Sequence, residues 1–434
     1  MKNYWLIGLT LLGLSNVNAN TIITYNGVNY SVNDQSIAYS ISTASQFQAN
    51  PWWGNSSLAY ALASLYHPGN QTVFVYNAVS GSPGYTQGYN YGTGMPPMIP
   101  AGVTGAAINI GAQGDYVFGY IIPPGPASAD TQVSVNYLAG QLQSTYAIQS
   151  SLLNNGLTYD CPVFDKNGIC ISAGAGYTGV NSGIPNVGSG LLIGGYKLND
   201  QVRLGAWVNQ KAYNTGAIGL NNSNSNPMFG LYAVWNQDKS DNAFEIRASF
   251  GYETNSTTSI RQVFGTSEAG VGSASLTTQG ASLTTSYNIP TIASVVASPY
   301  VGVRYTKIDL GSYTETSSVT TPLSYSDLNQ ENTTLLAGVR LFGKVTQTIG
   351  IFGSIGVEQD IQNKAATIQA NGSGQTLTNA SLTSSYQATR PVVTAGAYYE
   401  IDKTQRISFN VGYTQSMYVP VAVSSAYVTY TAGF

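Results

Sequence analysis

The chain has 434 residues, only 8% of them charged, with 48 Gly, 32 Tyr and a formal net charge of −3. So few charges exclude an ordinary soluble surface, and the balance offers no footprint for nucleic acid. The charges are also segregated. No Lys or Arg occurs between Asn3 and Asp165, where Asp34, Asp115, Asp130, Asp160 and Asp165 are the only charged residues. The composition therefore changes near residue 165, and a domain boundary is expected there.

In chain order, residues 1–19 read as a secretory signal peptide. Lys2 is the positive start, Leu6–Leu14 a short apolar core and Val17-Asn18-Ala19 a small-residue cleavage site. That core is too short to span ~30 Å of hydrocarbon as a helix. No later segment is a continuous apolar run of transmembrane-helix length, so any membrane must be crossed by strands. A helix is expected from Trp52 to Tyr66, with Leu58, Ala61, Leu62 and Leu65 as its apolar stripe over a small core. Residues 80–104, rich in Gly, Pro and Tyr, read as irregular loop. A second helix is expected over Thr131–Asn155, with Asp130 as N-cap and Val135, Leu138, Leu142, Tyr146, Gln149 and Leu152 at three- and four-residue steps.

Cys161 and Cys170 are the only cysteines. In an oxidising compartment they favour a disulfide, across the turn sequence Asp165-Lys166-Asn167-Gly168. Two Cys alone lack the further ligands of a metal site, and no cofactor is expected.

From about residue 168 the sequence alternates with period two. Phe244, Ile246, Ala248, Phe250 and Tyr252 interleave with Glu245, Arg247, Ser249 and Gly251, and Ile407, Phe409, Val411 and Tyr413 with Arg406, Ser408, Asn410 and Gly412. Twelve such strands are expected between 168 and 434, joined by short connections (Asn199-Asp200, 344–346, 402–404) that alternate with long ones (212–226, 254–273, 310–331, 360–390). Apolar-out, polar-in strands with loops sorted by length define an all-β fold, a twelve-stranded antiparallel transmembrane β-barrel. The lumen face would carry Arg203, Glu245, Arg247, Arg304, Arg340, Glu358, Glu400 and Arg406, whose mixed signs favour pairing with one another. The last strand ends on Phe434, with Ala432, Tyr430, Val428 and Ala426 on its face.

The barrel length, the strand number and three local phrases resemble the translocator domain of autotransporters, the type V secretion family. The phrases are Ser298–Thr306, Phe229-Gly230-Leu231-Tyr232 entered through Asn226-Pro227-Met228, and Ala426–Phe434. The resemblance covers about 168–434. It implies an outer-membrane barrel that anchors or exports the segment upstream of it, with a helix threaded through the lumen. Residues 20–126 would then be a short passenger, and 127–167 a linker holding the pore helix and the cysteine loop. At roughly 1.5 Å per residue, 25 helical residues extend about 37 Å, enough to cross the barrel. The partners implied are outer-membrane lipid, the Sec translocon and the barrel-assembly machinery, which would read Phe434, Tyr430 and Val428. The passenger ligand is not legible.

No enzyme is expected. His67, the only histidine, sits beside Pro68-Gly69 and reads as a turn residue, and no Ser has an evident base or elbow motif around it. Asn154-Asn155 resembles the asparagine pair at which some autotransporters cut themselves, but Asn155-Gly156 is also an ordinary helix stop, the preferred reading. Two functions remain: display of the passenger at the cell surface, or a porin-like or structural barrel whose N-terminal domain is periplasmic.

Overall fold

The computed structural model describes residues 21–38, 43–66, 73–78, 85–92, 102–109, 113–122, 125–181, 185–217, 219–224, 226–237, 243–291, 295–316, 319–364, 366–382, 386–418 and 422–434. The signal-peptide segment and His67 lie outside these residues. The chain divides into two compact units, residues 1–125 and 126–434. The second unit begins well upstream of the change in charge near 165, because the helix before that point, whose single charge is Asp130, packs inside the barrel.

The first unit is a six-stranded sheet: β1 (Thr21–Tyr25), β2 (Val28–Ala38), β3 (Val73–Ala78), β4 (Tyr85–Gly92), β5 (Gly102–Asn109) and β6 (Gln113–Ile122), ordered β1-β2-β6-β3-β4-β5. Asn26 and Gly27, both with positive φ, form the two-residue hairpin between β1 and β2. Period-two alternation sends Phe74 and Val117 to one face, where Trp52, Ala59, Leu62 and Ala63 complete a core. Val75, Tyr116 and Phe118 go to the other face and pack on Phe47 of the short helix α1 (Ala44–Gln48). Helix α2 (Ser56–Leu65) starts at Asn55, whose side chain accepts the Leu58 N–H at 3.0 Å. Two expectations are corrected. The helix begins after Trp52-Trp53 and buries Ala59, Leu62 and Ala63, leaving Leu65 exposed, because small residues let it lie close on the sheet. Within the expected loop 80–104, residues 85–92 form β4 and 102–104 begin β5: backbone pairing between the two strands overrides their Gly content.

The second unit opens with α3 (Ser128–Gly156), followed by β7 (Ile169–Val180), β8 (Asn186–Lys197), β9 (Val202–Thr215), β10 (Met228–Asn236), β11 (Phe244–Ile260) and β12 (Val271–Tyr287). Then come β13 (Val295–Leu310), β14 (Leu328–Lys344), β15 (Ile349–Lys364), β16 (Thr389–Glu400), β17 (Gln405–Gln415) and β18 (Ala422–Gly433). Each pairs antiparallel with the next, and β18 pairs with β7 from Val423↔Val180 to Gly433↔Cys170, closing a twelve-stranded barrel. Closure leaves no open edge, the condition for backbone to cross lipid in strands.

The outward face marks where lipid ends. Along β11, Phe244, Ile246, Ala248, Phe250 and Tyr252 face out, and Thr254, Ser256 and Thr258 then take the same face. Near 9–11 residues of a strand suffice to span a bilayer. The 17-residue strands β11 and β12 therefore project beyond it on the long-loop side. Outward aromatics form two belts, with Tyr196, Trp235, Phe244 and Tyr399 towards the short turns and Tyr177, Tyr213, Phe229 and Tyr413 towards the long loops.

Candidate functional site in the barrel lumen

Helix α3 runs through the lumen. It begins among the long loops, where Asp130 accepts hydrogen bonds from the Thr266 N–H (2.7 Å) and hydroxyl (2.8 Å), and Gln132 exchanges bonds with Thr378. Asp130 is thus not the N-cap. Ala127 holds that position, and the carboxylate reaches instead to the wall's loop. These bonds hold the Asp130 carboxyl below its ordinary range. Midway, Tyr146 donates to the Leu328 carbonyl (2.9 Å), Gln143 to the Leu382 carbonyl (2.9 Å), and Lys211 of β9 donates to Gln149 (3.2 Å).

The helix ends against Trp207. A side chain at Gly156 would come within 2.4 Å of the indole, so only glycine lets the helix pass this close. Val135, Leu138, Leu142, Tyr146, Gln149 and Leu152 are all buried, because the lumen wall and the folded-in loops surround the helix rather than lining one side.

The long loops close over the top. Leu323, Tyr325, Ile368, Ala380 and Leu382 join the same core as the helix. Arg261 and Glu315 form a buried pair (2.7 and 2.9 Å), and Glu315 also accepts from the Leu323 N–H and the Tyr325 hydroxyl. Burial alone would raise the Glu268 carboxyl, but the Thr320 hydroxyl and the N–H groups of Thr320 and Thr321 outweigh it and hold it low. Two cavities beside the helix are each about 20 Å³, room for roughly one water.

Most of the charged residues expected in the lumen form ion pairs. Arg203 holds Asp160 (2.7 Å) and reaches Glu245 (3.3 Å); Arg247 holds Asp160 (2.5 Å); Arg304 forks onto Glu358 (2.9 and 2.6 Å). Arg340 lies 3.8 Å from Glu245 and 4.7 Å over the Tyr300 ring, and Arg406 5.4 Å over Tyr398. Glu400 sits at the short-turn rim with Lys344 (2.5 Å). Sequence reasoning missed the pairs Lys211–Glu253, Arg390–Asp360 and Arg261–Glu315, and the role of Asp160. Lys211 and Glu253 are the last inward residues of their expected strands, and Arg390 and Asp360 lie one residue past the expected ends, so the inward period would have found both pairs.

Cys161 and Cys170 are joined, with Cα atoms 5.8 Å apart. Gly168, at φ +70°, closes the turn between them, its N–H donating to the Asp165 carbonyl (3.0 Å). Val428, Tyr430 and Phe434 face outward on β18, and the backbone of Phe434 exchanges hydrogen bonds with Ile169. Asn154 and Asn155 lie within the continuous helix, which runs on to Gly156. Asn155 donates to the Tyr427 hydroxyl (3.0 Å).

Fold and site together define a class: a lipid-facing β-barrel whose lumen is filled by the helix that precedes it. Residues 166–415, more than half of the chain, match the autotransporter beta-domain family, and the chain belongs to that family. Similar solved structures include the translocator domain of the autotransporter NalP from Neisseria meningitidis, at 18% identity and a TM-score of 0.47, covering 65% of this chain and 93% of that one. The transport unit of AIDA-I from Escherichia coli follows at 12% and 0.40, covering 68% and 99%. The beta domain of the Bordetella autotransporter BrkA also stands at 12% and 0.40, covering 62% and 100%. No curated relative matches the sequence. The family match carries the assignment: this barrel is an outer-membrane translocator domain.

Proposed function

We propose that the barrel displays residues 20–126 as a short passenger at the cell surface. The observation that supports this reading is the direction of α3: Ser128 lies among the long loops and Gly156 near the short turns. Long loops face the exterior in outer-membrane barrels, so a chain entering the lumen at residue 126 comes from outside. The porin-like alternative is weakened by the helix and loops that occupy the lumen. In this reading the Sec translocon exports the chain, and the barrel-assembly machinery reads the outward Val428, Tyr430 and Phe434. We assign the chain no catalytic role.

An epitope placed at the Asn26-Gly27 turn tests the orientation. Antibody should bind intact cells, and chymotrypsin but not trypsin should remove the signal, since no Lys or Arg lies between Asn3 and Asp165. Binding only after the outer membrane is permeabilised would place the segment in the periplasm. Phe434→Ser should lower the amount of assembled barrel; unchanged outer-membrane levels would remove the assembly role.

A further inference from the structure

Five consecutive residues after α3 are each gripped by one patch of wall. The Leu157 carbonyl accepts from Ser249 (2.6 Å), and those of Thr158 (2.7 Å) and Tyr159 (3.3 Å) accept from Arg247. The Asp160 carboxylate takes the Arg203 Nε and Nη2 and the Arg247 Nη2 (3.1, 2.7 and 2.5 Å), and the Cys161 N–H donates to the Tyr232 hydroxyl (3.1 Å). The patch is built in register. Val234 of β10 pairs with Arg203 of β9 on one side and Arg247 of β11 on the other, so the two guanidiniums stand level across three strands. Tyr232 and Ser249 lie one inward position higher, paired with each other.

Asp160 is also the only charge in a long stretch of chain. No Asp, Glu, Lys or Arg occurs from Thr131 to Tyr159. Once Asp130 has passed, a chain drawn through this lumen towards the long loops therefore offers the two arginines no further acid until Asp160 arrives between them. The next residue, Cys161, is tied to the base of β7.

We propose that Asp160 is the positioning residue that ends outward movement of the chain. Captured by Arg203 and Arg247, it sets the register at which α3 stops and seals the lumen. The inference rests on the display reading, in which the chain moves outward, and names the residue that halts it. Bidentate, charge-assisted bonds in a partly desolvated site suit this task, because a neutral or reversed side chain leaves the buried Arg247 without its carboxylate and Arg203 with only its longer contact to Glu245.

Purified barrels in planar bilayers test it. Wild type should remain closed. Asp160→Asn should raise the ratio of open to closed time on the order of a hundredfold, the scale of losing one partner of a buried ion pair. Asp160→Arg should open the lumen further, and Arg203→Glu with Arg247→Glu in the same chain should restore closure. Heat-shifted mobility on gels confirms that each variant has folded as a barrel. Folded Asp160→Arg barrels as closed as wild type would overturn the proposal, as would charge-swapped barrels no more closed than Asp160→Arg alone. The epitope at the Asn26-Gly27 turn, read on intact cells, separates the two ideas. Periplasmic epitope with conducting variants rejects outward movement and keeps only the seal, whereas surface epitope with closed variants rejects the stop and keeps display.

Discussion

The two ends of the lumen hold the same helix by different means. At the short-turn end the partners of residues 157–161 are side chains on strands β9, β10 and β11, and a disulfide fixes the next step of the chain. At the long-loop end the partners of residues 126–132 are Thr266, Gln375, Thr376 and Thr378, all on loops. Strand positions are fixed by the barrel's own pairing. Loop residues must be ordered at an entropic cost to make their bonds. The lower grip is therefore preorganised and strong, and the upper is assembled around the helix and weak.

The sharpest way to break this contrast is Arg247→Ala. It takes one guanidinium from Asp160 and leaves two carbonyls without their donor, and should cost the lower grip about 3–5 kcal/mol. Hydrogen exchange at residues 157–161 should accelerate accordingly, while the amides of Thr131 and Gln132 stay protected. Equal acceleration at both ends would show that the two grips are one cooperative unit. A smaller effect is expected from joint Cys161→Ser and Cys170→Ser substitution. Losing a closed loop of this length removes about 2–3 kcal/mol of constraint on the unfolded chain, read as a lower temperature for the gel shift. An unchanged transition would mean that strand closure alone fixes the linker.

The smallest effect distinguishes the upper end. The Asp130 and Glu268 carboxyls both titrate lower in the folded protein than when free. Their contribution is therefore whole above the free values, about 4 to 4.5, and is lost as pH falls through the lower folded values. Exchange and nicking in residues 261–270 should increase on acidification below about pH 4. Glu268→Gln should flatten most of that pH step; a step of undiminished size would assign it to another group.

The barrel was legible because lipid imposes a strict rule on every second residue, and Phe244–Tyr252 or Ile407–Tyr413 satisfy it without exception. The strand tops were less legible. Above Tyr252 the outward face turns polar, and Thr254, Ser256 and Thr258 read as loop although they continue β11 to Ile260. The lumen helix was found from Val135, Leu138 and Leu142, but its cap was misplaced, since an Asp before an apolar run looks the same whether it caps its own helix or reaches a neighbour. Asp160 had no local signal at all. Its partners lie 43 and 87 residues away, and only closure of the sheet brings them together. In the first unit, β4 was hidden by a glycine that serves close packing: a side chain at Gly88 would meet Val73 at 2.5 Å.

A helix with no charge along its length within the lumen also has an electrical consequence. Moving one elementary charge through 100 mV is worth roughly 2.3 kcal/mol, and α3 carries no formal charge between Asp130 and Asp160. An applied field therefore has only the two terminal acids and the helix dipole to act upon. Ion pairing and packing, rather than potential, govern this stopper, so ramping the voltage across a bilayer of wild-type barrels should leave it in place.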